Sequence, residues 1–203
     1  MFHVKHNNHP LAGVSRETEE RLTAFVALLL SWNRTINLIS KRDEEQVWER
    51  HVTDSLNLLQ YLPSSFDSAI DLGSGGGFPG IVLAIASDRR FTLIEADRRK
   101  AAFLREAARV CGAPAIVLGE RAERAVLPAA PVITARALAP IKTLLTWATP
   151  LLAPGGICLF PKGRTVGAEL TQAVQQWRMC VEQWPSPLDP AARVLRLSEI
   201  SRV

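Results

Sequence analysis

The stretch DLGSGGGFPG, residues 71 to 80, places five glycines and a proline directly after SSFDSAI. Glycine weakens a regular element, so a cluster of this kind marks a backbone that turns sharply or approaches something closely. Coming at the end of a buried strand, it restricts the chain to folds in which strand, tight loop and helix follow one another. GIVLAIA (80 to 86) supplies the helix, and Pro79 suits its first turn.

The rest of the chain repeats that grammar. FTLIEA (91 to 96), AIVLG (115 to 119), PVITA (131 to 135) and GICLFPK (156 to 162) read as strands. Between them DRRKAAFLREAARVCG reads as a helix closed by Gly112, and PIKTLLTWATPLLAPGG as a helix with a Pro-Gly-Gly stop; GAELTQAVQQW is a later helix. Alternating strands and helices imply a parallel sheet covered on both faces. RMCVEQWP and ARVLRLSEI are strands with only a short PSPLDPA turn between them. That gap cannot hold a parallel crossover, so the final strand is expected to run antiparallel. Ligands of such sheets bind at the carboxyl ends of the strands, near the topological switch point.

Before the sheet, Ser15 is placed to cap a helix with Glu17, Glu19 and Glu20 in its first turn and Leu22, Phe25, Val26, Leu29 and Leu30 at helical spacing. A second helix is predicted from Asp43 to Tyr61, ending before Pro63, with Arg50, His51 and Asp54 on a face apart from its apolar positions. The expected organisation is a flexible terminus (1 to 14), a helical cap (15 to 62) and a Rossmann-like domain (63 to 203) forming one structural unit.

Composition excludes little beyond this. The net charge of +4 permits an anionic partner without requiring one. Cys111, Cys158 and Cys180 form no CxxC, which argues against zinc and disulfides and for a reducing compartment. His3, His6 and His9 have a spacing that suits metal ligation, but Pro10 and Gly13 follow and no carboxylate or cysteine is near; a frayed polar terminus and no metal are expected. With no apolar leader and no run of spanning length, a soluble, cytoplasmic chain with no membrane partner is expected, acting as a monomer.

The loop itself is ambiguous. Gly75, Gly77 and Gly80 satisfy the dinucleotide pattern GxGxxG, whereas Asp71, Gly73, Gly75 and Gly77 satisfy DxGxGxG, which resembles motif I of S-adenosylmethionine-dependent methyltransferases. Both want an acid at the end of the second strand for ribose hydroxyls, and Glu95 stands there. Asp71 favours a ligand with a cationic amino-acid end, since a pyrophosphate gains nothing from a carboxylate. An NAD-type enzyme, a small-molecule or 2′-O methyltransferase and a non-catalytic RNA-binding module stay open on these residues.

A more specific likeness lies in five segments in order: NLISKRDEEQVWERHVTDSL, DLGSGGGFPGIVLAI, TLIEADRRKAAFLRE, TARA and PGGICLFPKG. Together they resemble the RsmG (GidB) family of bacterial 16S rRNA methyltransferases. The resemblance implies a class I methyltransferase fold, α/β with a mostly parallel seven-stranded sheet whose last strand is antiparallel. It also implies S-adenosyl-L-methionine as cofactor and N7 of a 16S rRNA guanine, free or in the small ribosomal subunit, as acceptor. That nitrogen carries a free lone pair, so positioning rather than a general base is expected to dominate. The absence of NPPY or DPPY and of a Pro-Cys nucleophile agrees. By the same resemblance Arg136, Lys162 and Arg121 are candidate catalytic or RNA-contacting cations. Asp71, Gly73, Gly75, Gly77, Phe78, Glu95, Ala122, Glu123 and Arg136 are candidate cofactor contacts. Asn37, His51, Asp54 and Ser55 match the family pattern in the cap, either lining a pocket or stitching the cap to the domain.

Overall fold

The computed structural model describes residues 13–203; the expectations for the terminus and for His3, His6 and His9 lie outside the described residues. Seven strands form one sheet in the order β3-β2-β1-β4-β5-β7-β6. They are β1 (Ser68–Leu72), β2 (Arg90–Ile94), β3 (Ala115–Leu118), β4 (Ala130–Ala135), β5 (Leu152–Lys162), β6 (Trp177–Pro185) and β7 (Arg193–Arg202). The first five pair in parallel, and β7 runs antiparallel to both β5 and β6. The order reverses between β1 and β4, so the switch point opens between the loops that follow these two strands.

Two layers of helix cover the sheet. On one face α1 (Arg16–Asn33) packs with α3 (Gly80–Ser87) and α4 (Arg98–Val110). Leu22, Phe25, Val26 and Leu29 of α1 share one apolar core with Ile81, Phe103 and Leu104, and Val47, Val52 and Leu58 join it. The 15 to 62 segment therefore has no core of its own: it buries its apolar side in the sheet's. Phe25 is fully buried and meets Phe78 edge-on at 5.3 Å, so truncating it to alanine should cost about 3–5 kcal/mol. On the other face α5 (Ile141–Ala148) and α6 (Val166–Ala173) cover β4 and β5.

Ser15 caps α1, accepting the Thr18 N–H at 3.2 Å, and α4 closes on Gly112 at φ 59°. Two expectations need correction. Pro-Gly-Gly does not stop α5. The helix ends at Ala148, because Pro150 has no N–H with which to continue the ladder. Pro154, Gly155 and Gly156 lie inside β5, where its pairing with β4 shifts register, and a Cβ on Gly156 would fall 2.9 Å from the Pro131 carbonyl oxygen. Nor is 43 to 61 one α-helix. A 3-10 turn at Lys41–Asp43 precedes a π-helical turn (Trp48–Thr53), a single α turn, α2 (Asp54–Leu56), and another 3-10 turn (Asn57–Tyr61). The buried Ser55 hydroxyl donates to the His51 carbonyl at 2.6 Å, a local bond that competes with a regular ladder.

Candidate active site

The Gly-rich loop leaves β1 with Gly73, Gly75 and Gly77 all at positive φ. Gly75 needs that conformation: at φ 54° its N–H points at Glu95 Oε2, 2.8 Å away. Glu95 follows β2, is 9% exposed, and accepts the Asp97 N–H on its other oxygen, also at 2.8 Å. Both oxygens are fixed by backbone, and each retains a lone pair toward the cleft, an arrangement suited to vicinal hydroxyls. Ala122 and Glu123 sit in a 3-10 turn after β3 and line the same cleft, whose volume is about 1140 Å³.

Across the cleft the cap meets the end of β4. Arg136 follows β4 directly, and the π turn and the first residue of α2 each aim a side chain at it. Its Nη2 lies 2.9 Å from His51 Nδ1 and its Nη1 3.4 Å from Asp54 Oδ2. The Phe78 ring packs on His51 and Arg136, stacked with the imidazole at 4.9 Å and under the guanidinium at 5.2 Å. A guanidinium only donates, so His51 Nδ1 must accept, and the ring proton sits on Nε2. That proton faces Asp43 Oδ2 at 3.6 Å, just beyond hydrogen-bond reach. Burial and the adjacent Arg136 push the His51 pKa down to about 4, so the imidazole is neutral at pH 7. Burial raises the Asp54 carboxyl against the opposing pull of Arg136. It also lowers the Arg136 guanidinium, which Asp54 supports; arginine stays charged regardless.

A family model described as GidB, rRNA small subunit methyltransferase G, matches residues 18–187. The chain belongs to this family. A GidB relative from Rhodospirillum centenum, named Ribosomal RNA small subunit methyltransferase G, is 56% identical over 189 residues, covering 93% of this chain and 88% of its own. Another of the same name from Gluconobacter oxydans is 53% identical over 94% of this chain and 98% of its own. Among solved structures, the N-methyltransferase NodS from Bradyrhizobium japonicum in complex with S-adenosyl-L-homocysteine superposes with TM-score 0.59 at 14% identity, over 84% of this chain and 97% of its own. Cofactor-bound Rv0187 superposes with TM-score 0.60 at 14% identity, over 88% and 89%. The fold is that of class I methyltransferases.

Of the residues singled out by the GidB resemblance, Gly73, Gly75, Phe78, Glu95, Arg121, Ala122, Glu123, Arg136, His51 and Asp54 line the cleft. Asp71 does not. It is fully buried behind the loop, where its Oδ1 accepts the Thr134 hydroxyl at 2.6 Å and its Oδ2 has no partner. Burial pushes its pKa up to about 6. A contact with a cationic ligand end is therefore corrected to a scaffold role. Gly77 turns the chain behind the cleft surface. Asn37 is exposed and outside the cleft; its neighbour Asn33 organises that turn instead, accepting the N–H groups of Leu38 and Ile39 at 2.8 and 3.0 Å. Ser55 is bound to the His51 carbonyl. Arg121 stands at the mouth, largely exposed and paired with Glu123 at 2.7 Å.

Lys162, the last residue of β5, does not converge with the others on the cleft. It ion-pairs with Glu169 at 2.7 Å, donates to the Ala139 carbonyl at 2.9 Å, and lines a smaller adjoining cavity together with Asp54 and Arg136. Sequence reasoning missed Asp43 behind His51 and Glu169 beside Lys162. It also missed the β6–β7 connection, where Ser186 and Asp189 form one wall of the cleft; a polar turn between two strands carries no signal of what it will face. Among the described residues no helix is long and apolar enough to cross a membrane, and no cluster of three or more His, Cys, Asp or Glu is placed to hold a metal ion. Cys111, Cys158 and Cys180 are in no disulfide.

Proposed function

We propose that this chain transfers the methyl group of S-adenosylmethionine to N7 of a guanine in 16S rRNA of the small ribosomal subunit, in the cytoplasm. The observation that carries the reading is the pairing of Glu95, after β2, with the N–H of Gly75, in the loop after β1, across the cleft from the cap-held Arg136. Glu95 suits ribose hydroxyls, and the turn at Ala122 and Glu123 suits an adenine. The relatives' printed names support the RNA class, and the S-adenosyl-L-homocysteine ligand of NodS supports the cofactor. Arg50, Lys100, Arg121 and Arg164 are on the lining, where cations suit phosphate; Arg50, Arg121 and Arg164 are paired with Asp43, Glu123 and Asp189.

Bound S-adenosylmethionine supplies an electrophilic methyl group on a sulfonium. The guanine N7 lone pair forms the new N–C bond as the C–S bond breaks and its electron pair stays on sulfur. No proton leaves, and the positive charge moves onto the base. The protein's work is alignment and exclusion of water, which the enclosed junction at Arg136, His51 and Phe78 provides.

The test is incubation of the protein with methyl-labelled S-adenosylmethionine and small subunits from a strain lacking this gene. Label in 16S RNA, recovered as 7-methylguanosine after digestion, is the expected result. Label recovered only as a 2′-O-methylated nucleoside, or no transfer to any RNA form despite cofactor binding, would sink the acceptor assignment.

A further inference from the structure

The smaller cavity, about 350 Å³, adjoins the cleft and shares Asp54, Arg136, Ala137, Ser186 and Ala192 with it. Its charged groups are not equivalent. Glu169 is fully engaged: one oxygen takes Lys162 Nζ and the Ile141 N–H, the other the Thr165 hydroxyl. Lys162 is consumed in the same contacts. Asp54 is different. Its Oδ2 makes one long contact to Arg136, and its Oδ1 accepts nothing among the described residues. The side chain is only 18% exposed. A mostly buried carboxylate with a spare oxygen, facing two connected cavities, is an acceptor waiting for donors.

We propose that Asp54 and Arg136 together read the Watson–Crick edge of the acceptor base in this smaller cavity, with Asp54 accepting from guanine N1–H and N2–H2 and Arg136 donating to O6. The inference rests on the guanine reading of the preceding section and deepens it. The two side chains sit 3.4 Å apart, a donor beside an acceptor. Guanine presents the complementary order along one edge, O6 as acceptor and then N1–H and N2–H2 as donors. Adenine presents the reverse, an amino donor and then the N1 lone pair, so both groups would be opposed. Reading the base on that edge leaves N7 free, because N7 lies on the other side of O6. It also requires the base to be out of any stack, inserted singly, as enzymes that modify a base generally require.

The same contact strengthens along the reaction. Methylation at N7 makes the ring cationic and its N1–H a better donor, so the bond to Asp54 is tighter in the transition state than in the ground state. Arg136 is set by His51 from behind, which keeps the array in register.

The experiment uses the full chain and reconstituted small subunits. The mapped target is either guanosine or inosine, which retains N7, O6 and N1–H but lacks the N2 amino group. Wild-type protein should lose about tenfold to hundredfold in kcat/KM on inosine. Asp54→Asn should lose at least that much on guanosine, yet discriminate the two bases by less than about threefold. S-adenosylmethionine affinity and thermal stability of the variant serve as controls for folding. Equal rates of wild type on guanosine and inosine overturn the proposal without use of any variant, as does an Asp54→Asn protein that keeps the wild-type ratio. Formation of no 7-methylguanosine by wild type on the guanosine substrate would instead overturn the underlying functional reading.

Discussion

Replacing Asp71 by asparagine separates two roles that the sequence merged. The carboxyl is fully buried, and burial, opposed by the Thr134 hydroxyl, raises its pKa from 3.8 to about 6. The native state thus holds the Asp71 proton more tightly than the unfolded chain does. Between those two values the folded form binds more protons, so this group's contribution to stability is fullest below pH 3.8 and is lost as pH rises through 6. Relative to low pH, Asp71 costs the fold about 3 kcal/mol at pH 7 and about 1.5 kcal/mol at pH 5, where the folded form still holds most of the proton, taking 1.36 kcal/mol per tenfold. Asparagine removes that dependence. Its own amide nitrogen at the Oδ2 position faces no acceptor, a roughly pH-independent penalty of about 1–3 kcal/mol. The absolute change is thus small, but the stability of Asp71→Asn relative to wild type should improve by about 1 kcal/mol between pH 5 and pH 7. Urea unfolding of both proteins at pH 5, 6 and 7 measures this, and groups common to both cancel in the difference. A flat difference would refute the buried-charge argument. Because Asp71 lies outside the cleft, S-adenosylmethionine affinity should change by less than about threefold. A hundredfold loss with the fold intact would restore the ammonium contact expected from the glycine motif.

Other consequences are direct. His51→Phe keeps the stack on Phe78 but deletes the acceptor for Arg136, so methyl-transfer kcat should fall about tenfold or more with cofactor affinity retained; stopped-time assays with saturating cofactor give the split. Because its folded pKa is depressed from 6.5 to about 4, His51 contributes stability that is present above pH 6.5 and lost as pH falls through 4. Acid unfolding of His51→Phe followed by fluorescence should show a weaker dependence on pH over that window. Glu95→Gln leaves one oxygen for two backbone N–H groups, and calorimetry should find S-adenosylmethionine bound about tenfold to hundredfold more weakly. In Gly80→Ala the new Cβ would lie 2.6 Å from Asp71 Oδ2 and 2.5 Å from Leu93 Cδ2, so urea melts should show a loss of about 1–3 kcal/mol.

The alternation of strands and helices, the antiparallel end of the sheet and the Ser15 cap were legible because they follow from periodicity and local chemistry. The place of Glu95 in the cleft was legible too, since a strand end beside a Gly-rich loop lies on the binding edge of such a sheet. Asp71 misled because a motif names residue types, not directions: as a strand residue whose side chain points into the helix layer, it cannot also face the cleft. Asn37 misled for a similar reason, with Asn33 doing the hydrogen bonding four positions earlier. The gathering of His51 and Asp54 on Arg136 was only half visible. Their spacing put them on one face, but the widened turn that aims them and the Phe78 ring that supports them are set by tertiary packing, which local propensity does not report. Lys162 carried a motif position but not its partner Glu169, which reaches it from the next helix.

The most direct test of the account is a single-turnover measurement of methyl transfer to undermethylated small subunits by wild type and by Arg136→Met, alongside S-adenosylmethionine binding to each. If the junction of cleft, cap and smaller cavity is where the base is aligned, wild type forms 7-methylguanosine. The variant should then keep its cofactor within about fivefold and lose about a hundredfold in rate. A variant that transfers at the wild-type rate with its fold intact would contradict the placement of the reaction at Arg136.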